Sequence, residues 1–183
     1  MRSLIALQDR LLSPLGSGDA ALALAARFAF AASLAVYYFN SGLTKLGEGI
    51  FGIFQPSLGA YAQIFPRAME AAGYDLNQLN AFHWAVVTAG TVAEFVLPVL
   101  IIVGHFTRFA ALGMIGFIIV QSLTDLIGHN KWNDPLVLGA WFDRMPDGVI
   151  LDQRMFWVIS LAILVFKGAG WLSLDRFLAR SET

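Results

Sequence analysis

One carboxylate, Glu94, lies in the middle of a stretch that is long enough and apolar enough to cross a membrane, Ala81–Val103. A charge at the centre of a bilayer costs about 3 kcal/mol or more. Four residues later Pro98 lacks an N–H, so the carbonyl of Glu94 loses its usual helical partner, and in lipid such a group needs another. We therefore expect this face of the helix to look into the protein, where Glu94 is paired, protonated or used.

Two cations of the first apolar segment are candidates to meet this carboxylate. Arg27 and Lys45 are 18 residues apart, which is about five whole helical turns, so both project from one face. We expect an inner polar cluster in which Arg27 lies near Glu94. Three interpretations are open: a buried ion pair that fixes the helix register, a proton or quinone site, or an arginine that snorkels to the lipid headgroups.

A second polar cluster is expected nearer the outer end of the bundle. It would gather Lys45, His83 and Asp125, and it could include His129 and Arg154. Two histidines can ligate haem between helices, but neither His83 nor His129 lies deep within its span. We therefore predict no haem and no metal site.

The composition is that of an integral membrane protein. Of 183 residues, 57% are hydrophobic and 14% are charged, against about 25% charged in soluble domains. The net charge of −1 with no basic run removes the electrostatic basis for nucleic-acid binding. The chain has no cysteine, which excludes disulfides, thiolate metal sites and thiol redox relays within it.

The elements that must position these residues are four membrane spans of about 20 residues each. We predict a single domain, 1–183, with an all-α fold: a membrane four-helix bundle with spans at about 20–46, 81–103, 109–127 and 151–171. The N-terminus resembles an amphipathic helix lying on the membrane, with Leu4, Leu7, Leu11 and Leu12 on one side. The aromatic-rich segments 48–80 and 128–154 predict short interfacial helices in two longer outer loops; a substrate lid is the alternative.

The distribution of cations predicts the orientation. With both termini on one side, that side holds seven of the twelve lysines and arginines: Arg2, Arg10, Arg27, Arg108, Lys167, Arg176 and Arg180. The other side holds five, spread over longer loops, together with most of the acids. The positive-inside rule therefore places both termini in the cytoplasm.

Three segments carry a family resemblance: NSGLTKL at 40–46, AEFVLPVLIIVGHFTRFAALGM at 93–114 and KGAGWLSLDRFL at 167–178. In order and spacing they resemble the DoxX family of small four-helix membrane proteins, from about Arg27 to Leu178. The resemblance implies a bacterial or archaeal cytoplasmic membrane protein, and it places the family's Arg, Lys and Glu on Arg27, Lys45 and Glu94. The outer loops look longer than in the shortest members.

Two functions remain open at this point. The first is a membrane subunit or partner of a quinone-linked oxidoreductase system, with quinone bound between helices and Glu94 exchanging protons. A partner protein must then supply the redox centre, because the chain has no histidine deep within a span to ligate haem, no flavin motif and no cysteine. The second is a non-catalytic transporter or assembly factor for a small solute, metal or metallophore system, with a metal-handling partner.

Overall fold

The computed structural model describes residues 18–181, and the amphipathic helix expected at the N-terminus lies outside them. The helices of this part of the chain are, in order, α1 (Asp19–Lys45), α2 (Leu58–Ile64), α3 (Pro66–Ala71), α4 (Ala81–Val103), α5 (Thr107–Gly128), α6 (Pro135–Leu138), α7 (Val149–Lys167) and α8 (Leu174–Ser181). Helices α1, α4, α5 and α7 are each long and apolar enough to span a membrane. The predicted all-α membrane fold with four spans is confirmed.

The four long helices form a closed bundle in which α7 packs against α1 and α5, and α4 packs against the same two helices from the opposite side. Large buried side chains from all four fill the centre, among them Phe30, Tyr38, Ile101, Met114 and Leu161. Because every long helix contributes to this one core, the polar side chains that point inward are held at fixed depths.

We call the end of the bundle that carries the short turn between α4 and α5 the inner end, and the end that carries the two longer loops the outer end. Helix α4 ends at Val103 and is capped by Gly104, whose φ of 73° is a left-handed conformation that favours glycine. Asp175 of α8 then caps α5 from a distance in sequence, because its carboxylate accepts from the backbone N–H of Phe106 at 2.8 Å and of Thr107 at 3.0 Å. Helix α8 is thereby tied to the α4–α5 hairpin.

The outer end is covered by the two longer loops, which contain the short helices α2, α3 and α6. Ala60, Tyr61, Met69 and Val87 form a second small core that seats α2 and α3 on α4. The backbone N–H of Ser57 donates to the carbonyl of Lys45 at 2.9 Å, so α2 starts directly at the end of α1. This arrangement makes α2 a cover over the outer half of the bundle.

Three segments within the long helices have π-helical hydrogen bonding: Ala31–Ala35 in α1, Thr124–Gly128 in α5 and Val149–Arg154 in α7. A π-helical turn inserts residues into the α-helical ladder and is frequent at functional sites. Two of these segments supply the partners of one ion pair, Asp125 and Arg154.

Candidate functional site

The carboxylate of Glu94 is paired with Lys45. The Lys45 Nζ lies 2.9 Å from Glu94 Oε1 and 3.0 Å from Oε2, and the two side chains are only 4% and 3% exposed. Ser41 completes the group, because its Oγ donates to Glu94 Oε1 at 2.8 Å and accepts from Lys45 Nζ at 2.7 Å. We call these three residues the Lys45–Ser41–Glu94 cluster.

Local helix geometry explains why Lys45 reaches so deep. Side chains of an α-helix tilt toward its N-terminus, so Lys45, the last residue of α1, reaches back over Ser41 one turn earlier. Glu94 lies nine residues before the inner end of α4, about 13 Å at 1.5 Å per residue. The ion pair therefore lies well inside α4, at the level of the last turn of α1.

An apolar groove runs between α4 and α5 beside this cluster. Its volume is about 370 Å³, within the lower part of the usual range for small-molecule sites. Small residues form its walls, since α4 contributes Ala89, Gly90 and Ala93 and α5 contributes Gly113 and Gly116. A side chain added at Gly116 would meet no atom within 4 Å, which shows that this residue borders open space. We call this space the α4–α5 groove.

The groove opens sideways and is covered at its outer end. Ala89, Gly113, Gly116 and Val120 are exposed on the surface of the bundle at the depth of the spans. The outer end is closed by Gln63 and Ile64 of α2, and α2 is held there because the carbonyl of Gln63 bonds His129 Nε2 at 2.9 Å. A molecule dissolved in the bilayer can therefore reach the Lys45–Ser41–Glu94 cluster through the side of the protein.

The predicted Arg27–Glu94 pair is wrong. Arg27 is 7% exposed, and its guanidinium donates to four backbone carbonyls, those of Ile101, Ile102, Ala169 and Leu172. The last carbonyls of a helix lack the usual i+4 partner, and the negative end of the helix dipole favours a cation there. These acceptors lie closer to Arg27 than Glu94 does, so Arg27 ties α1 to α4 and to the loop after α7.

The predicted outer cluster is only partly assembled. Arg154 pairs with Asp125, with 2.7 Å between Nη2 and Oδ2, and its Nη1 donates to Ser122 Oγ at 2.9 Å. Lys45 points inward to Glu94 instead. The structure leaves His83 apart from this pair, because its Nδ1 takes part in the capping of α4 with Asn80.

Ser41 and the glycines of the groove are site residues that the sequence prediction missed. The recurrence of Ala85, Ala89 and Ala93 at four-residue steps predicts close helix packing. The signal that could have found the groove is a second stripe of small residues on α5, Gly113 and Gly116, facing the first. Small residues on both helices leave space between them unless a larger neighbour fills it.

The donor sets for a metal ion are limited in this part of the chain. Among residues 18–181, no group of three or more histidine, cysteine, aspartate or glutamate side chains is placed to hold a metal. Two ion pairs of the described residues line or adjoin the α4–α5 groove, Lys45 with Glu94 and Arg154 with Asp125.

A family model of DoxX matches residues 22–124, which is more than half of the chain. The chain belongs to the DoxX family. The matched DoxX region contains Arg27, Lys45 and Glu94 and most of the α4–α5 groove, and it ends one residue before Asp125. The chain matched none of the curated proteins and none of the solved structures.

Proposed function

We propose that this chain is a membrane subunit or partner of a quinone-linked oxidoreductase system and that it binds a quinone in the α4–α5 groove. The observation that carries the proposal is the combination of an apolar space open to the bilayer with a buried carboxylate and ammonium at its inner wall. A quinone has the same two parts, a lipid-soluble tail and a polar ring. When bound, it supplies two-electron chemistry coupled to protons.

The residues of the groove have separate roles in this proposal. Gly90, Gly113 and Gly116 leave room for a flat ring. Glu94 accepts or releases a proton at its carboxylate, and Lys45, whose ammonium is hydrogen-bonded to both carboxylate oxygens, neutralises the charge of the ionised form. Ser41 bridges the two and fixes the orientation of the carboxylate.

Electrons must come from a partner protein. The chain has no cysteine, so a thiol relay or a thiolate-bound cluster would have to belong to that partner. The exposed aromatic side chains of the outer loops, among them Trp132, Trp141 and Phe142, offer either membrane anchoring or a contact surface. We place the protein in a bacterial or archaeal cytoplasmic membrane, with both termini in the cytoplasm.

Quinone retention tests the proposal directly. The protein is purified in mild detergent, extracted with organic solvent and assayed for quinone by chromatography. We expect stoichiometric quinone in the natural protein and its loss in Gly116→Trp, since Gly116 lines the groove and has open space beside it for a larger side chain. Ile119→Trp is the matched control, because Ile119 is exposed on the same helix outside the groove. Absence of quinone from the natural protein, and failure to bind added quinone, would refute the proposal.

The second candidate is a transporter or assembly factor for a small polar solute or a metal complex. It draws on the polar outer end of the groove, where Gln121, Thr124 and Asp125 lie under α2. This candidate needs α2 to move so that water reaches the groove. Because the chain has no cysteine, Ala93→Cys tests it: a membrane-impermeant thiol reagent labels a water-filled path, whereas a lipid-soluble maleimide alone labels a groove open only to the bilayer.

A further inference from the structure

The hydrogen bonds of the Lys45–Ser41–Glu94 cluster leave Lys45 with nothing to offer a ligand. An ammonium has three N–H groups. Those of Lys45 face the carbonyl of Ser41 at 3.2 Å, the Oγ of Ser41 at 2.7 Å and the carboxylate of Glu94 at 2.9 and 3.0 Å. All three donors are therefore used within the protein, although Lys45 lines the groove.

Glu94, in contrast, keeps an unused hydrogen-bond acceptor position. A carboxylate has about four lone-pair positions. Its Oε1 receives two hydrogen bonds, from Ser41 and Lys45, but its Oε2 receives one, from Lys45. An acceptor position therefore remains on Oε2 in a residue that borders the groove. The ion pair presents its negative partner to a bound molecule.

The outer end of the groove has the same character. Asp125 binds Arg154 through Oδ2, and no donor within residues 18–181 reaches its Oδ1. Thr124 gives its hydroxyl hydrogen to the carbonyl of Val120 at 3.0 Å, which leaves the lone pairs of Oγ1 free. Gln121 donates one of its two Nε2 hydrogens to Tyr37, and its Oε1 has no partner in the described part of the chain.

From this count we infer that the α4–α5 groove binds the reduced, dihydroxy form of its ligand, a quinol, in preference to the quinone. The inference rests on the proposed function, since it names the redox form that the same site selects. A quinol ring carries two hydroxyl donors that can satisfy the free acceptors. A quinone ring carries only carbonyl acceptors, so it cannot satisfy the free oxygens of Glu94, Thr124 and Gln121, and unpaired buried groups are costly.

Selective binding of the reduced form changes the redox couple in the site. Each tenfold preference for quinol raises the midpoint potential of a two-electron couple by about 30 mV. The bound quinone is then a stronger electron acceptor than free quinone in the bilayer. Transfer of electrons from the partner to quinone in the groove would therefore be more favourable than transfer to free quinone. The quinol would leave when another donor replaces its hydrogen bonds to Glu94 and Asp125.

Binding of three matched probes tests this inference without any turnover. The purified protein is titrated anaerobically with a short-chain benzoquinone, with its two-electron-reduced hydroquinone, and with the dimethyl ether of that hydroquinone. The ether keeps the ring and removes both donors. We expect the hydroquinone to bind at least tenfold more tightly than the quinone, and the ether to bind no better than the quinone.

Two variants locate the effect. Asp125→Asn replaces a carboxylate oxygen by an amide N–H, so it should tighten quinone binding and shrink the preference for hydroquinone. Asp134→Asn, which changes an outer carboxylate that does not line the groove, should leave the preference unchanged. Equal or tighter binding of the quinone to the natural protein overturns the inference while the proposed function stands. If none of the three probes binds, both fail.

Discussion

Replacing either Lys45 or Glu94 alone should lower the free energy of unfolding much more than replacing both together. Removing one partner of a buried ion pair leaves an uncompensated charge and costs about 3–5 kcal/mol. Both side chains are almost fully buried, at 4% and 3% exposure, so we expect Lys45→Met and Glu94→Gln each to fall in that range. In the double variant neither charge remains, and most of the loss should be recovered.

The assay is a double-mutant cycle on unfolding in mixed detergent micelles, followed by helical circular dichroism. We expect a coupling energy of at least about 3 kcal/mol, at or above the upper end for residues in contact. The pair Lys131–Asp134 is a matched control, because its nitrogen–oxygen distance of 3.1 Å is similar but its side chains are 47% and 33% exposed. Its coupling should lie within about 0–1 kcal/mol.

The same cycle separates structure from function. If the double variant recovers both stability and quinone retention, the pair serves to hold the helices together. If it is stable but retains no quinone, the charged pair is part of the binding site. A coupling energy no larger than that of the Lys131–Asp134 control would refute the reasoning, since it would mean that the two groups do not depend on each other in the folded protein.

Three further predictions concern the inner end and the topology. Arg27→Lys should lower the free energy of detergent unfolding by about 1–3 kcal/mol, because three N–H groups cannot serve four carbonyls, whereas Arg67→Lys on the exposed face of α3 should have no measurable effect. Burial of the Asp175 carboxyl opposes ionisation, yet hydrogen bonds from Thr107 and Phe106 outweigh it and lower its pKa. The stability that Asp175 contributes should therefore be complete above about pH 4, the pKa of aspartate in the unfolded chain. It should be lost as the pH falls through the lower pKa of Asp175 in the folded protein. Asp175→Asn should flatten that part of a pH–stability curve. Asn77→Cys and Asn133→Cys, both on exposed outer loops, should react with an impermeant thiol reagent applied to intact cells. Leu172→Cys on the inner loop should react only after permeabilisation. If only Leu172→Cys is labelled in intact cells, the orientation is the opposite of the predicted one.

The sequence was sufficient to predict the four spans and the burial of Glu94. Apolar length defines a membrane helix, and the predicted bounds 81–103 coincide with those of α4. The fourth span is shorter than its predicted 151–171, because Gly168 and Gly170 adopt positive φ and end the helix at Lys167. Hydropathy does not register such a turn, since the residues around it remain apolar.

The partner of Glu94 could not be read from the sequence, because periodicity fixes the face of a helix and leaves its axial register against a neighbour open. Arg27 and Lys45 do both turn toward α4, as their spacing predicts. The choice between them depended on two further facts. Lys45 reaches back toward the N-terminus of its helix and so toward Glu94. The guanidinium of Arg27 donates instead to the carbonyls of Ile101 and Ile102 at the end of α4.

The chemistry of the two cations fits the places they occupy. Arginine is always charged and presents several donors in a rigid fork, whereas lysine is a compact charge that can lose its proton when buried. Arg27 meets four fixed carbonyls at the junction of α1, α4 and the loop after α7, where a permanent charge with many donors is needed and no exchange is required. Lys45 meets one carboxylate beside a groove that opens to the bilayer, where a compact charge on a flexible stem can reach back along α1 to Glu94. Within α1, Arg27 therefore holds the helices together, and Lys45 holds Glu94 at the border of the proposed binding site.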